Sequence, residues 1–384
     1  MKGHNAPGLT EREIRHAFSH PIGTERIEDL ARGKGEVVIL FDDLTRPTRA
    51  AEIIPHVLEE LARAGVRDEQ IRFIAALGAH GALNRLGWAK KLGEAVLSRF
   101  PVYNHNPYEN CIFLGKTSRG IPISINAEVM KCDLKIGLGC ILPHRLTGFG
   151  GGGKIILPGV ASIDTIEATH SLEKEAFASQ LDTIAQMGRF EENPMRPEVE
   201  EAAQMAQLDV KIDLLVGYRR ETVGIFVGDP IAEHHYGVER AKEHYATLGT
   251  QGADIVVANA YSKAGEAFVA VLGATKVLKD EGGDLVIIST TPEGQVTHYL
   301  SRSFGKSIGG RLWRAKTALP SKVDRLIMLT PFPDRTAADW LAPADSIVWC
   351  ETWDEVLKHL VIGHGSGTKV AVIPDATIQY FPAS

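Results

Sequence analysis

Several familiar protein classes leave marks that this chain lacks. Its four cysteines (Cys111, Cys132, Cys140 and Cys350) form no CxxC pair, which argues against a disulfide framework and against a cysteine zinc site. No apolar run approaches the roughly 20 residues that span a bilayer. The longest, such as Val37–Phe41, are the size of a strand. Lys and Arg do not exceed Asp and Glu; the net charge of −6 argues against a nucleic-acid binder that relies on positive charge. The first residues alternate charge and polarity without the apolar centre of a signal peptide. What remains is a chain of 384 residues whose apolar share of 44% lies near the globular average, enough for two or three domains. The expectation is a soluble cytoplasmic protein, with no membrane and no nucleic-acid partner.

Short β-branched runs alternate with helical patterns along most of the sequence, which predicts an α/β protein with parallel-rich sheets covered by helices. Residues 36–41 predict a buried strand, followed by DDLTRPT and a helix over about 50–64. In that helix Ile54, Val57, Leu58 and Leu61 share one face. A second strand over 71–77 leads into GAHGALNR and a helical stretch through Trp88, Leu92 and Val96. From about residue 250, ADIVVANA, DLVIIST, RLIMLTP, SIVWC and KVAVIP predict five short strands of one Rossmann-like unit. The reading is a cofactor-binding, catalytic domain over 1–249 and a second α/β domain over 250–371, with a tail at 372–384 that can pack back on the first. Ligands of parallel sheets bind at the carboxyl ends of the strands, so the expected site is the interdomain cleft.

Three loops carry the candidate chemistry. Asp43, Thr45 and Arg46 follow the first strand directly; they fit either a site that grips an anion or the N-terminal cap of the next helix, with Thr48 or Asp43 as the capping residue. His80 follows the second strand and fits either a general acid/base or a structural histidine. The third is LPHRLTGFGGGGKIILPG, in which His144 and Lys154 bracket Gly148 and Gly150–Gly153. Four glycines in a row let backbone amides approach an anion or a flat cofactor, and a lysine emerging among apolar residues can be desolvated into a nucleophile. It is not a Walker A loop, because Ile155 stands where Ser or Thr is needed. His170 fits a metal ligand or a core histidine, and the pair His234–His235 reads as a solvated helix face. The second domain has no GxGxxG fingerprint, which disfavours an NAD-dependent oxidoreductase.

Taken together, DDLTRPT, the histidine of GAH, PHRLTGFGGGGKIILPG, His170 and NPMR at 193–196 resemble the nickel-pincer lactate racemase family. Lys154 lies ten residues after His144 and His170 sixteen after Lys154, as the family spaces them. The resemblance implies a nickel-pincer nucleotide (pyridinium-3,5-bisthiocarboxylic acid mononucleotide nickel) attached covalently to Lys154, with His170 as the protein ligand to nickel. It implies His80 and His144 as acid/base groups on opposite faces of a small 2-hydroxy acid. Asp43, Thr45, Arg46 and the glycines Gly151, Gly152 and Gly153 match the regions that contact cofactor and substrate. The implied activity is an isomerase: racemisation or epimerisation by reversible hydride transfer. Its partners would be the substrate, cofactor-biosynthesis proteins and, for some members, further copies of the chain.

Two departures stand out. The arginine usual after the first histidine is Gly81, leaving Arg85 as a replacement, and the substrate-carboxylate region reads NAYSKAGEA, with Tyr261 and Lys263 as candidates. Ser262 and Glu266 there suggest a substrate longer and more hydroxylated than lactate, such as an aldonic acid. A binding protein that keeps the fold without the catalysis is the alternative.

Overall fold

The computed structural model describes residues 1–178, 187–191, 193–249, 251–305, 307–313, 318–336 and 341–382. The chain divides into two compact units, one of Gly3–His244 and one of Tyr245–Ser384 with Met1–Lys2. Among the described residues no helix is long and apolar enough to cross a membrane.

The strands in chain order are β1 (Val37–Phe41), β2 (Ile71–Ala75), β3 (Val102–Asn104), β4 (Cys111–Lys116), β5 (Pro122–Asn126), β6 (Leu134–Cys140), β7 (Pro143–His144), β8 (Gly148–Phe149), β9 (Val210–Val216), β10 (Thr222–Gly228), β11 (Ile255–Asn259), β12 (Gly283–Ile288), β13 (Val323–Leu329), β14 (Ile347–Cys350) and β15 (Val370–Ile373). In the first unit six of them form a sheet in the order β10-β9-β6-β1-β2-β3. It is parallel except for the β9/β10 pair. β1 is buried at every position, because a strand flanked by parallel partners and covered on both faces has no side left for water. The helix Ala50–Arg63 buries Ile53, Ile54, Val57 and Leu61 on its inner face. In the second unit β14-β13-β12-β11-β15 form an entirely parallel sheet, the five strands expected from the sequence.

One expected helix is two. Gly93 at φ +83° ends Arg85–Leu92 and starts Glu94–Arg99, a conformation that glycine adopts without strain. In the acidic stretch beyond Gly159 the helices are Ile163–Ala178 and Arg196–Met205. Residues 179–186 and 192 of that stretch lie outside the described residues.

Candidate active site

Three neighbouring parallel strands, β6, β1 and β2, deliver the candidate loops from their carboxyl ends. After β1, Asp43 is 5% exposed and both of its carboxylate oxygens are engaged. Oδ1 accepts the backbone N–H of Thr45 at 2.8 Å and also its hydroxyl; Oδ2 lies 2.6 Å from His80 Nδ1. Arg46 Nη1 donates to Thr45 Oγ1 at 2.8 Å, which completes a string from guanidinium to imidazole. Burial works against a charge on Asp43, yet the His80 ring, Arg46 and the Thr45 hydroxyl hold its carboxyl below the usual carboxylate range. An ionised carboxylate only accepts, so Nδ1 of His80 carries a proton, and whenever the ring is neutral its lone pair is on Nε2. The helix-cap reading of this loop is overturned. The residue before helix Ala50–Arg63 is Arg49, which makes no side-chain cap, and the Thr48 hydroxyl donates to Asp42 instead.

The loop is held from beneath by a residue that sequence reasoning missed. Lys91, on helix Arg85–Leu92, is 4% exposed. Its Nζ lies 2.5 Å from Asp42 Oδ1 and donates to the carbonyls of Asp43 and Arg46 at 3.0 Å each. Two carbonyl acceptors and a neighbouring carboxylate offset the loss of water around this ammonium.

Lys154 sits in a short 3-10 turn, Gly152–Ile155. His170, buried on helix Ile163–Ala178, donates from Nδ1 to the carbonyl of Ile166 at 2.8 Å, so Nε2 is its acceptor atom. Burial, followed by the positive charge of Lys154 and with a smaller contribution from His80, lowers its pKa to about 4. Those two contributions place Lys154 and His80 within electrostatic reach of His170, and the ring is neutral near pH 7.

The glycine run has a packing reason that its sequence does not show. A Cβ on Gly151 would stand 2.6 Å from Asp213 Oδ2, one on Gly152 2.6 Å from the His234 ring, and one on Gly153 2.7 Å from the carbonyl of Val199. Three of the four glycines are therefore required by their own protein. Asp213 and Lys211 pair at 2.5 Å within β9, and Asp213 also accepts the Gly152 amide. His234 Nε2 donates to the carbonyl of Gly150 at 2.7 Å and the residue is 1% exposed, which corrects its reading as a solvated face. Burial, then the charge of Arg196, holds that ring neutral. Arg196, from NPMR, is buried and donates to the carbonyl of Phe149 at 2.6 Å. Lys211 and Asp213, two apart and so on one face of an apolar strand, were the visible sign of this layer.

His144 closes the β7/β8 hairpin, where Nδ1 accepts the amide of Leu146 at 3.1 Å. Arg85 does not join the Asp43–His80 pair: its side chain is exposed and grips Glu94 at 3.1 and 2.6 Å. In the second unit Tyr261 is 44% exposed, whereas Lys263 is buried and pairs with Glu266 at 2.5 Å.

Residues 3–180 match the family model of the lactate racemase N-terminal domain. A lactate racemase of Thermoanaerobacterium thermosaccharolyticum is 30% identical over 306 residues, covering 78% of this chain and 70% of its own. One of Lactiplantibacillus plantarum is 30% identical over 293 residues, covering 74% and 68%. Among solved structures, the lactate racemase apoprotein of T. thermosaccharolyticum superposes with a TM-score of 0.75 at 23% identity, covering 97% of this chain and 93% of that one. A Thermotoga maritima protein superposes with a TM-score of 0.70 at 16% identity, covering 97% and 98%. Fold and relatives together define an α/β isomerase of the racemase class. The chain belongs to the lactate racemase family.

Proposed function

We propose that this chain is a nickel-pincer-nucleotide-dependent racemase or epimerase of a 2-hydroxy acid. The observation that carries the reading is the Asp43–His80 hydrogen bond, with His80 and Lys154 each close enough to His170 to act on its charge. The residues present fit such a cofactor. Among the described residues no three His, Cys, Asp or Glu side chains gather as a metal site. His170 by itself suits a metal whose remaining donors arrive with an organic group. Its Nδ1–H is fixed on a backbone carbonyl, the orientation that metal-binding histidines use to present Nε2. Lys154 would hold the nucleotide as a thioamide, and separate biosynthetic proteins would supply it.

The α-hydrogen of a 2-hydroxy acid is hard to remove as a proton, because the adjacent carboxylate disfavours a carbanion. When bound, the cofactor supplies a reversible acceptor for that hydrogen as hydride. The chain's own part is proton handling and orientation. His80 takes the hydroxyl proton at Nε2 while Asp43 holds Nδ1–H and stabilises the resulting imidazolium. Arg46 offers a planar fork to the substrate carboxylate. His144 serves the opposite face, returning a proton to the oxygen of the planar keto acid when the hydride comes back to its carbon from the other side. The relatives named lactate racemase support a substrate of this class; Ser262 and Glu266 favour a longer, hydroxylated member.

The test is intact mass and nickel content of protein made in cells that synthesise the cofactor, with epimerisation followed on a panel of chiral 2-hydroxy acids. An adduct lost in Lys154→Ala and nickel lost in His170→Ala are expected. His80→Ala and His144→Ala should keep the adduct and lose turnover. Absence of adduct, nickel and turnover in the unaltered protein overturns the reading.

A further inference from the structure

The two imidazoles differ in what surrounds Nδ1. Around His80 that nitrogen meets a carboxylate, which only accepts, so one tautomer is imposed. Around His144 it meets two kinds of group. The backbone amides of Leu146 and Thr147 point at it from 3.1 and 3.4 Å, and an amide N–H only donates. The Thr147 hydroxyl oxygen lies 3.2 Å away, and its own proton goes to the carbonyl of Phe149 at 2.7 Å. With that proton committed, Oγ1 turns its lone pairs toward the imidazole. The amides thus favour the neutral ring protonated on Nε2, which is unable to take up a proton there. The hydroxyl is the acceptor that the hairpin itself offers to a proton on Nδ1.

We propose that Thr147 is the positioning residue of His144: its hydroxyl accepts the Nδ1 proton whenever His144 is an imidazolium, or a neutral ring with its lone pair on Nε2. Without that acceptor the two amides oppose a proton on Nδ1 and favour the neutral Nε2–H form, which cannot take up a proton at Nε2. The inference rests on the acid/base role given to His144 above, and it extends that role to a residue that need not touch substrate. Thr147 is wholly buried within the hairpin, as a group acting through another side chain should be. The arrangement makes the pair unequal: His80 is held ready as a base, whereas His144 changes tautomer against a hydroxyl.

The experiment is a pH titration of the histidine ring nitrogens by ¹⁵N NMR on the cofactor-free chain, with His144 assigned by its disappearance in His144→Gln. The variants are Thr147→Val, which keeps the shape and removes the hydroxyl, and Thr147→Ser, which restores it. Valine leaves the Phe149 carbonyl its bond from Arg196, and the charged groups on the turn and on segments packed against the hairpin, Arg145, Arg189 and Arg196, are the same in every variant. Thr147→Val should lower the His144 midpoint by about one pH unit, the loss expected for one hydrogen bond to a charged group, and Thr147→Ser should recover it. An unchanged midpoint in Thr147→Val, or a serine variant that follows valine, overturns the proposal. Should the valine variant fail to fold, the unaltered chain decides. The Nδ1 proton of protonated His144 should exchange slowly with water; fast exchange overturns the proposal. None of these readouts needs cofactor or turnover, so a failed nickel and racemase assay would remain distinguishable.

Discussion

Asp213 Oδ2 accepts the backbone amide of Gly152 at 2.6 Å, tying the turn that carries Lys154 to a buried strand. The carboxylate can stand there because residue 151 has no side chain, since a Cβ on it would lie 2.6 Å from Oδ2, and the four glycines differ in what an added Cβ would meet.

Gly150 has no neighbour within 3.7 Å of an added Cβ and no left-handed φ, so Gly150→Ala should fold and melt within a few degrees of the parent. Gly151→Ala and Gly152→Ala combine φ of +83° and +58° with contacts of 2.6 Å and should each lose more than about 1 kcal/mol. Gly153→Ala meets the Val199 carbonyl at 2.7 Å and should behave like the second group. Chemical denaturation of the four variants checks the order. Equal effects at all four positions would contradict the packing account.

Asp43→Asn should keep the loop's shape and lose the fixed charge behind His80. Its amide can turn an N–H toward Nδ1 and reverse the tautomer, so turnover should fall on the order of 10²–10⁴-fold. The cofactor adduct should be retained. Intact mass and turnover on the same preparation separate the two effects.

Lys91→Met should cost about 3–5 kcal/mol, because Asp42 would be left with a largely buried and uncompensated charge. Pairing it with Asp42→Asn should return part of that loss. A double-mutant cycle by denaturant titration measures the coupling.

His105 gives the pH dependence. Its Nε2 donates to the carbonyl of Ala161 at 2.8 Å, Asn126 donates to Nδ1 at 3.1 Å, and burial lowers its pKa to about 4. The folded ring stays neutral while the unfolded ring takes a proton near pH 6.5. The unfolded state therefore binds more protons between these values, and stability falls with pH from about 6.5 down to about 4. The full loss is on the order of 3 kcal/mol. His105→Gln should remove its share of that slope, while His170 and His234, whose pKa values burial also lowers, keep theirs.

Much of the architecture was legible because parallel strands leave short continuous apolar runs: β1 and β11 to β15 stand where those runs predict them. Their polar continuations, DDLTRPT and GAH, were also legible as loops at strand ends. Less visible was anything decided by what lies across space. Lys91 looks like one more solvated lysine on a helix, and its three partners come from a loop between 45 and 49 residues earlier. His234 looked solvated for the same reason, since the carbonyl it serves belongs to Gly150. The packing role of the glycine run was hidden, because nothing local reveals that Asp213, His234 and Val199 fill the space where side chains would be.

The second sheet places β11 between β12 and β15, so the first strand made borders the last. As the chain leaves the ribosome, one edge of β11 waits uncovered until residues 370–373 emerge. The Tyr245–Ser384 unit can complete its sheet only late in synthesis, while β1, β2, β6 and β9 of the other sheet are already out. A nascent chain stalled short of residue 370 should therefore resist protease in the first unit alone.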